Sequence, residues 1–277
     1  MAINYAEKYS PKVDEKFKLE SKTQALVNNE YDFVGAKTVN VYTVNTVAMG
    51  DYTRSGSNRY GTPDELDTDI QELTMGQDRA FTFTIDKLNQ DETNNALEVG
   101  KALARQLRER VIPEIDTYRL GKIAENAGES KTEALDKTNI YDAIVDGTEH
   151  LDDKEVPVEG RKLVVTPEIY KFMKQSDDII LDTETSNEQR RRGVVGFMDG
   201  MEVTKVPSSR MPDGKGFIIT HPVATVSPIK LADYKIHRDA PGISGALAEG
   251  RLYYDAFILD NKKDAIYYHA TETIESA

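Results

Sequence analysis

Val39-Asn40-Val41-Tyr42-Thr43-Val44-Asn45-Thr46-Val47 and, further on, Phe81-Thr82-Phe83-Thr84-Ile85-Asp86 are the stretches whose reading decides the fold. The first alternates in period two, with Val39, Val41, Thr43, Asn45 and Val47 on one face and Asn40, Tyr42, Val44, Thr46 and Ala48 on the other. The second places Phe81, Phe83 and Ile85 on one face. Both read as strands, over Lys37 to Met49 and Asp69 to Asp86, and the pair predicts a hairpin. Between them, Gly50 to Thr68 is rich in Gly, Ser, Asn and Asp and almost without aliphatic residues. Loops longer than about 12 to 15 residues are uncommon in compact domains and are usually functional, and a lone two-stranded ribbon is marginal in water. Such an arm needs another surface or becomes ordered on assembly, which points to an assembly protein rather than an enzyme.

Directly after the arm comes a single long helix. Asp91 and Thr93 are competent N-caps, and Asn126-Ala127-Gly128 is a stop signal. Leu97, Ala104, Val111 and Tyr118 recur every seven residues, joined by Leu107, Ile115 and Ala124 in one apolar stripe. The opposite face carries Arg105, Arg108, Glu109, Arg110, Glu114, Arg119 and Lys122. Arg105 with Glu109 and Arg110 with Glu114 stand four apart, a spacing worth about 0.2 to 0.5 kcal/mol per pair. Pro113 lacks the amide that would bond the Glu109 carbonyl, so a bend is expected there. At about 1.5 Å per residue, Asp91 to Gly128 spans roughly 50 Å.

The remainder reads as mixed α/β. Asn139 to Leu151 is a helix, Lys162 to Val165 a buried strand, and Thr166-Pro167-Glu168 the cap and first turn of a helix through Met173. Asp177 to Arg192 is a polar loop ending in Arg190, Arg191 and Arg192, either a solvated loop or a salt-sensitive contact to acidic groups on a neighbour; Arg54 and Arg59 carry the same two readings. Gly193 to Pro207 forms two short strands about the Asp199-Gly200 turn. Phe217 to Thr220, Val223 to Val226, Leu252 to Leu259 and Ala265 to His269 supply further strands. At the other end, Tyr5, Tyr9, Val13, Phe17 and Leu26 are sparse anchors in a polar N-terminal segment, either a frayed terminus or an ordered, partner-bound arm with a short helix after Ser10-Pro11.

A net charge of −13 over 277 residues argues against a protein that grips nucleic-acid phosphates. With no cysteine there are no disulfides, thiolate metal sites or cysteine nucleophiles. No apolar leader or spanning segment is present. GxxxxGK[ST], GxGxxG before a helix and HExxH are all missing. His150, His221, His237 and His269 lack ligand-like spacing. Asp67, Asp69 and Glu72 lack the glycine and final glutamate of a calcium loop. No catalytic residue, cofactor or metal site is therefore expected.

The order of elements, together with Tyr5-Ala6-Glu7-Lys8-Tyr9-Ser10-Pro11-Lys12-Val13, Gly200-Met201-Glu202-Val203 through Val206-Pro207-Ser208-Ser209-Arg210-Met211-Pro212, and Arg251-Leu252-Tyr253-Tyr254-Asp255-Ala256-Phe257, resembles the major capsid proteins of tailed bacteriophages. The resemblance implies an α+β, Hong Kong 97-like capsid fold. Its parts would be an N-terminal arm (1–35), an E-loop hairpin (36–90), the spine helix of the P-domain (91–128) and a mixed α/β A-domain (129–220). Strands returning to the P-domain (221–260) and a C-terminal strand and tail (261–277) would follow.

The same resemblance implies a shell of pentamers and hexamers around double-stranded DNA bound without sequence specificity, assembled in the host cytoplasm and residing in the virion. A portal, a separate scaffolding protein and a cement or decoration protein would be its partners. Tyr52, Arg54, Arg59 and Tyr60 would make E-loop contacts to a neighbouring subunit, Tyr5, Tyr9 and Phe17 N-arm contacts, and Arg190 to Arg192 would lie in an A-domain loop. Some family members crosslink a lysine of this loop covalently, but Gly50 to Thr68 contains none, so noncovalent contacts are expected. The separate scaffold is expected because only a short arm precedes the first strand, unless the chain is a processed form. Two alternatives stand beside this reading: an encapsulin shell around cargo enzymes, and an enzyme or ligand-binding module with Gly50 to Thr68 as a lid.

Overall fold

The computed structural model describes residues 21–28, 31, 37–63, 65–92, 98–176, 194–238 and 240–271. The N-arm residues Tyr5, Tyr9 and Phe17, the start of the long helix at Thr93 to Leu97, and Arg190 to Arg192 lie outside the described residues. The chain divides into two compact units, one of residues 33–75 and one of residues 1–32 with 76–277.

The smaller unit holds an antiparallel ladder of β1 (Thr38–Val44) and β2 (Thr68–Thr74). The hairpin expected between Lys37 to Met49 and Asp69 to Asp86 is formed by the first part of the second run, through Thr74, and not by Phe81 to Asp86. The second run is cut at Met75-Gly76, where the Gly76 amide donates to the Asp255 carboxylate at 2.7 Å. Residues before the cut pair with β1, and those after it form β3 (Gln77–Asp86), which belongs to a different sheet. β1 also ends sooner than its alternation suggests, with the Asn45 amide donating to the Asp67 carbonyl at 3.1 Å.

In the larger unit, β3 joins β10 (Ile229–His237) and β11 (Gly245–Tyr254) in an antiparallel sheet of order β10-β11-β3. The β10 strand escapes sequence reading because a register irregularity between Ile229 and Leu231 interrupts its period. The β11 strand is half hidden by its glycines, which the packing requires. A Cβ on Gly245 would lie 2.1 Å from the Ile85 carbonyl oxygen, and one on Gly250 2.4 Å from the Phe81 ring.

A short helix α1 (Lys87–Glu92), not foreseen, follows β3, with the Leu88 amide donating to the Asp86 carboxylate at 2.8 Å. The spine consists of α2 (Val99–Gln106), a π turn at Leu107–Val111 and α3 (Ile112–Glu125). The Ile112 amide donates to the Leu107 carbonyl, five residues back, so the missing Pro113 amide falls next to a widened turn that keeps the helical course. The buried stripe is Leu103, Leu107, Ile112, Ile115, Leu120 and Ile123, offset from the expected heptad, and Ala104, Val111 and Tyr118 are only half-buried. Arg105 pairs with Glu109 at 2.9 Å as expected, whereas Glu114 pairs with Arg79 at 2.6 Å instead of Arg110. Arg119, assigned to the solvent face from sequence, is 1% exposed beside the fully buried Asp116. The π turn accounts for the shift of the residues after it, Arg119 included, since an extra residue in one turn rotates every later side chain relative to an ideal 3.6-residue repeat, whereas Leu103 and Ala104 precede it.

Beyond the spine, β4 (Glu129–Thr132), α4 (Ile140–Asp153), β5 (Lys162–Val165), α5 (Pro167–Gln175), β6 (Val194–Met198), β7 (Met201–Lys205), β8 (Phe217–Thr220), β9 (Thr225–Val226), β12 (Phe257–Ile258) and β13 (Ile266–Ala270) follow in chain order around β10 and β11. Ile169 donates its amide to the Thr166 hydroxyl at 3.3 Å, the N-cap read from sequence. Asp199 and Gly200, at φ +47° and +76°, supply the two left-handed positions of the β6–β7 turn. The unforeseen β4 is wholly polar, an exposed edge strand pairing parallel to β13.

The large sheet has the order β4-β13-β8-β5-β7-β6. Leu163, Val165, Phe217, Ile219 and Tyr267 pack with Ile140, Ile144, Leu151, Ile169 and Met173 of α4 and α5. Val164, Ile218, Ile266 and Tyr268 pack with Leu120 and Ile123 of α3 and with Leu26. Burial on both faces explains the unbroken apolar runs of β5 and β8. The upstream half of the spine, through Leu103, Leu107, Ile112 and Ile115, covers the β10-β11-β3 sheet with Tyr234, Leu252 and Tyr254. One helix thus serves two cores. Among the described residues no helix is long and apolar enough to cross a membrane.

His269 of β13 is fully buried and stacks on Phe217 at 5.0 Å, and neither ring nitrogen makes a well-formed hydrogen bond. Burial pushes its pKa below the ordinary 6.5; Lys131 acts in the same direction, and Glu133, the Ala270 backbone and Asp146 oppose it. The folded ring is therefore neutral while the unfolded one binds a proton below its ordinary value, so stability is lost as pH falls from there through the folded pKa. Between about pH 7 and about pH 5.5 the melting temperature is expected to fall less for His269→Leu than for the parent. Equal pH slopes in the two proteins would assign the acid sensitivity to other groups.

Candidate functional site

The smaller unit is where chain and chemistry are least reconciled with solvent. In its ladder Val39 faces Leu73, Val41 faces Gln71, and Tyr42 faces Ile70. Val41 and Leu73 are buried, but the directly paired Tyr42 and Ile70 are 64% and 59% exposed. The connection beyond, expected to lack structure, has an internally bonded tip. Thr53 donates its amide to the Arg59 carbonyl at 3.0 Å, Gly61 to Asn58 at 2.9 Å, and the Arg59 guanidinium donates to the Gly56 carbonyl at 3.2 Å. Gly56, Asn58 and Gly61 all take positive φ, which suits Gly and Asn.

This tip brings together three of the four arm residues singled out from sequence. Tyr52 and Tyr60 meet edge to face at 5.0 Å, with Arg59 between them in the chain closing the turn. Arg54 is exposed on the same tip. Apart from Tyr52 and Tyr60, sequence reading missed the apolar members. Tyr42, Val44, Val47, Met49, Tyr52, Tyr60, Leu66 and Ile70 are eight of the eleven exposed large hydrophobic side chains among the described residues, and all belong to residues 33–75. The period-two alternation of residues 39–48 carried the signal, since apolar residues on both faces of a two-stranded ribbon leave at least one face uncovered. Burying one such side chain is worth about 1.5 to 3 kcal/mol, so their concentration on a single small ribbon makes it the candidate surface for association.

A groove of about 490 Å³ beside the π turn contains Glu109 and Glu114, but both carboxylates are engaged, by Arg105 and Arg79. Among the described residues no three His, Asp or Glu side chains gather as a metal site. His150 pairs with Glu129 at 2.8 Å, His237 with Glu249 at 3.2 Å, and His221 accepts from the Val223 amide at 3.1 Å.

No protein-family model and no curated protein matches this sequence. Solved structures do match. A chain from Mycobacterium phage Che8 is similar over 88% of this chain and 89% of its own, at 19% identity and a TM-score of 0.67. The mature capsid of bacteriophage PhiM1 is similar over 93% and 87%, at 15% identity and a TM-score of 0.66. The chain has the Hong Kong 97-like capsid fold. A virus-like particle from Pyrococcus furiosus shares it more distantly, over 96% and 99% at 12% identity and a TM-score of 0.56. Within the Hong Kong 97-like fold, a ladder and tip projecting their own apolar residues to solvent form the part whose energetics remain open in a single chain.

Proposed function

We propose that this chain is the major capsid protein of a tailed bacteriophage, assembling as pentamers and hexamers into an icosahedral shell around double-stranded DNA. The observation that carries the reading is the uncovered apolar surface of residues 33–75, on a chain whose other sheets are covered by three buried cores. Likeness to phage chains over about nine tenths of both partners supports it. In this reading residues 33–75 are the E-loop, which clasps a neighbouring copy through Tyr42, Ile70, Tyr52 and Tyr60, with Arg54 and Arg59 adding charge. The π-interrupted helix is the P-domain spine, and residues 129–220 supply most of the A-domain, with Arg190 to Arg192 in one of its loops. Tyr5, Tyr9 and Phe17 make N-arm contacts. The clasp is noncovalent, because no lysine stands between Gly50 and Thr68. The chain acts as a shell subunit without catalysis, is assembled in the host cytoplasm and resides in the virion. A portal, a scaffolding protein and a decoration protein are the partners this reading brings with it.

A compartment shell enclosing protein cargo is the second reading, favoured by the Pyrococcus furiosus particle, whose TM-score of 0.56 lies below those of the phage chains. Particle contents separate the two. Particles purified from the cells that make them are expected to hold DNA resistant to added nuclease; particles holding only protein cargo would favour the compartment.

A further inference from the structure

The chain passes out of the larger unit after Asp32 and returns to it at Gly76. On the larger unit's side of each passage stands a buried carboxylate. Before the first, Asp116 accepts from the Ser21 hydroxyl at 2.7 Å, the Thr23 hydroxyl at 2.7 Å and the Lys22 amide at 3.1 Å, and it also pairs with Arg210 at 2.9 Å. Leu26, just beyond, is fully buried, and the Asn28 amide donates to the Thr225 carbonyl at 2.7 Å. After the second passage, Asp255 accepts from the Gly76 amide at 2.7 Å, the Tyr118 hydroxyl at 2.6 Å and the Ala256 amide at 2.8 Å.

The two carboxylate sites are joined. Arg119 donates through Nη1 to the Thr23 hydroxyl at 3.2 Å and to Gln24 Oε1 at 3.3 Å, and through Nε to the Ser227 hydroxyl at 2.8 Å. Ser227 in turn donates to the backbone carbonyl of Asp255 at 2.8 Å. Thr23, Asp116, Arg119, Ser227 and Asp255 are each at most 5% exposed. Asp116, Tyr118 and Arg119 all come from one turn of α3. Burial pushes the Arg119 pKa down to about 10, countered by the Asp116 charge, so the guanidinium stays charged at neutral pH.

Buried ions carry a desolvation penalty, and an apolar cluster of equal volume would stabilise the same site as well or better. What the polar cluster adds is directionality: each bond fixes one named atom of the chain at a passage. We propose that Thr23, Asp116, Arg119, Ser227 and Asp255 form one continuous mount that holds both roots of the 33–75 excursion on a single turn of the spine helix, so that loosening one root loosens the other. Arg119 and Ser227 are the coupling residues, because they link the first carboxylate site to the second through Thr23 and the Asp255 carbonyl. The coupling belongs to the isolated chain and holds whatever the excursion contacts.

Native-state hydrogen exchange of the full chain, read at the Gly76 amide and referenced to the Val164 amide in the central sheet, tests this. Thr23→Val perturbs only the first root and is expected to speed relative exchange at Gly76 by about tenfold or more. In a Ser227→Ala background the same change is expected to leave Gly76 unaffected. Should Thr23→Val not fold, Gln24→Ala removes a single Arg119 bond at the same root, with the same expected direction. Unchanged relative exchange at Gly76 in the first-root variant, or an equal response with and without Ser227, would overturn the mount and leave two independent anchors.

Discussion

A chain lacking Tyr52 to Pro63 is expected to fold and to form no closed shells. The deletion removes the tip turn, the Tyr52–Tyr60 edge contact and both arginines. It leaves the β1–β2 ladder and the Asn45 to Asp67 hydrogen bond that closes it. None of the three cores draws on residues 52–63, so far-UV circular dichroism and the melting temperature should stay close to those of the parent. Each side chain left without a neighbour forfeits about 1.5 to 3 kcal/mol of burial. Every copy in a shell loses the same contact, so assembly rather than folding bears the whole effect. Sedimentation should show the parent in particles and the deletion at capsomer size or below. Shells of normal yield from the deletion would remove the tip from the assembly account.

The second large effect concerns stability. Asp116→Ala is expected to destabilise the chain by about 3 to 5 kcal/mol, the cost of leaving a buried charge without its partner. Arg119, at 1% exposure, would keep its hydroxyl and amide partners but lose the carboxylate that supports its charge, while Ser21, Lys22 and Thr23 lose their common acceptor. The double change Asp116→Leu with Arg119→Met removes the carboxylate and the buried guanidinium, leaving only the part-exposed Arg210 without its ion pair, and should recover a substantial part of the loss. Urea unfolding of the parent, the single and the double variant measures this. A single variant within about 1 kcal/mol of the parent would mean that the site is hydrated and its charges are screened.

Much of the fold is legible locally. The Thr166-Pro167 cap, the Asp199-Gly200 turn and the apolar runs of β5 and β8 each state their structure within a few residues, because capping, left-handed turns and two-sided burial are short-range demands. The misreadings are long-range. Nothing near Gly76 announces that its amide is taken by Asp255, and without that bond Asp69 to Asp86 reads as one strand. The glycines of β11 look like breaks until Ile85 and Phe81 are seen against them. A π turn moves Arg119 from the expected solvent face into the interior, where Asp116 and the 21–28 segment receive it. The candidate surface was half legible: the tip aromatics and arginines were visible as a cluster, whereas the exposure of Tyr42 and Ile70 emerged only once the second run divided at Gly76 and left β1 and β2 as a two-stranded ladder.

Self-assembly through residues 33–75 is the central claim, and cryo-electron microscopy of the purified chain, expressed with and without a scaffolding partner, tests it most directly. The account expects closed shells in which Tyr42, Ile70 and Tyr60 are buried against a neighbouring copy. Monodisperse monomer under both conditions, or shells in which these side chains still face solvent, would contradict it.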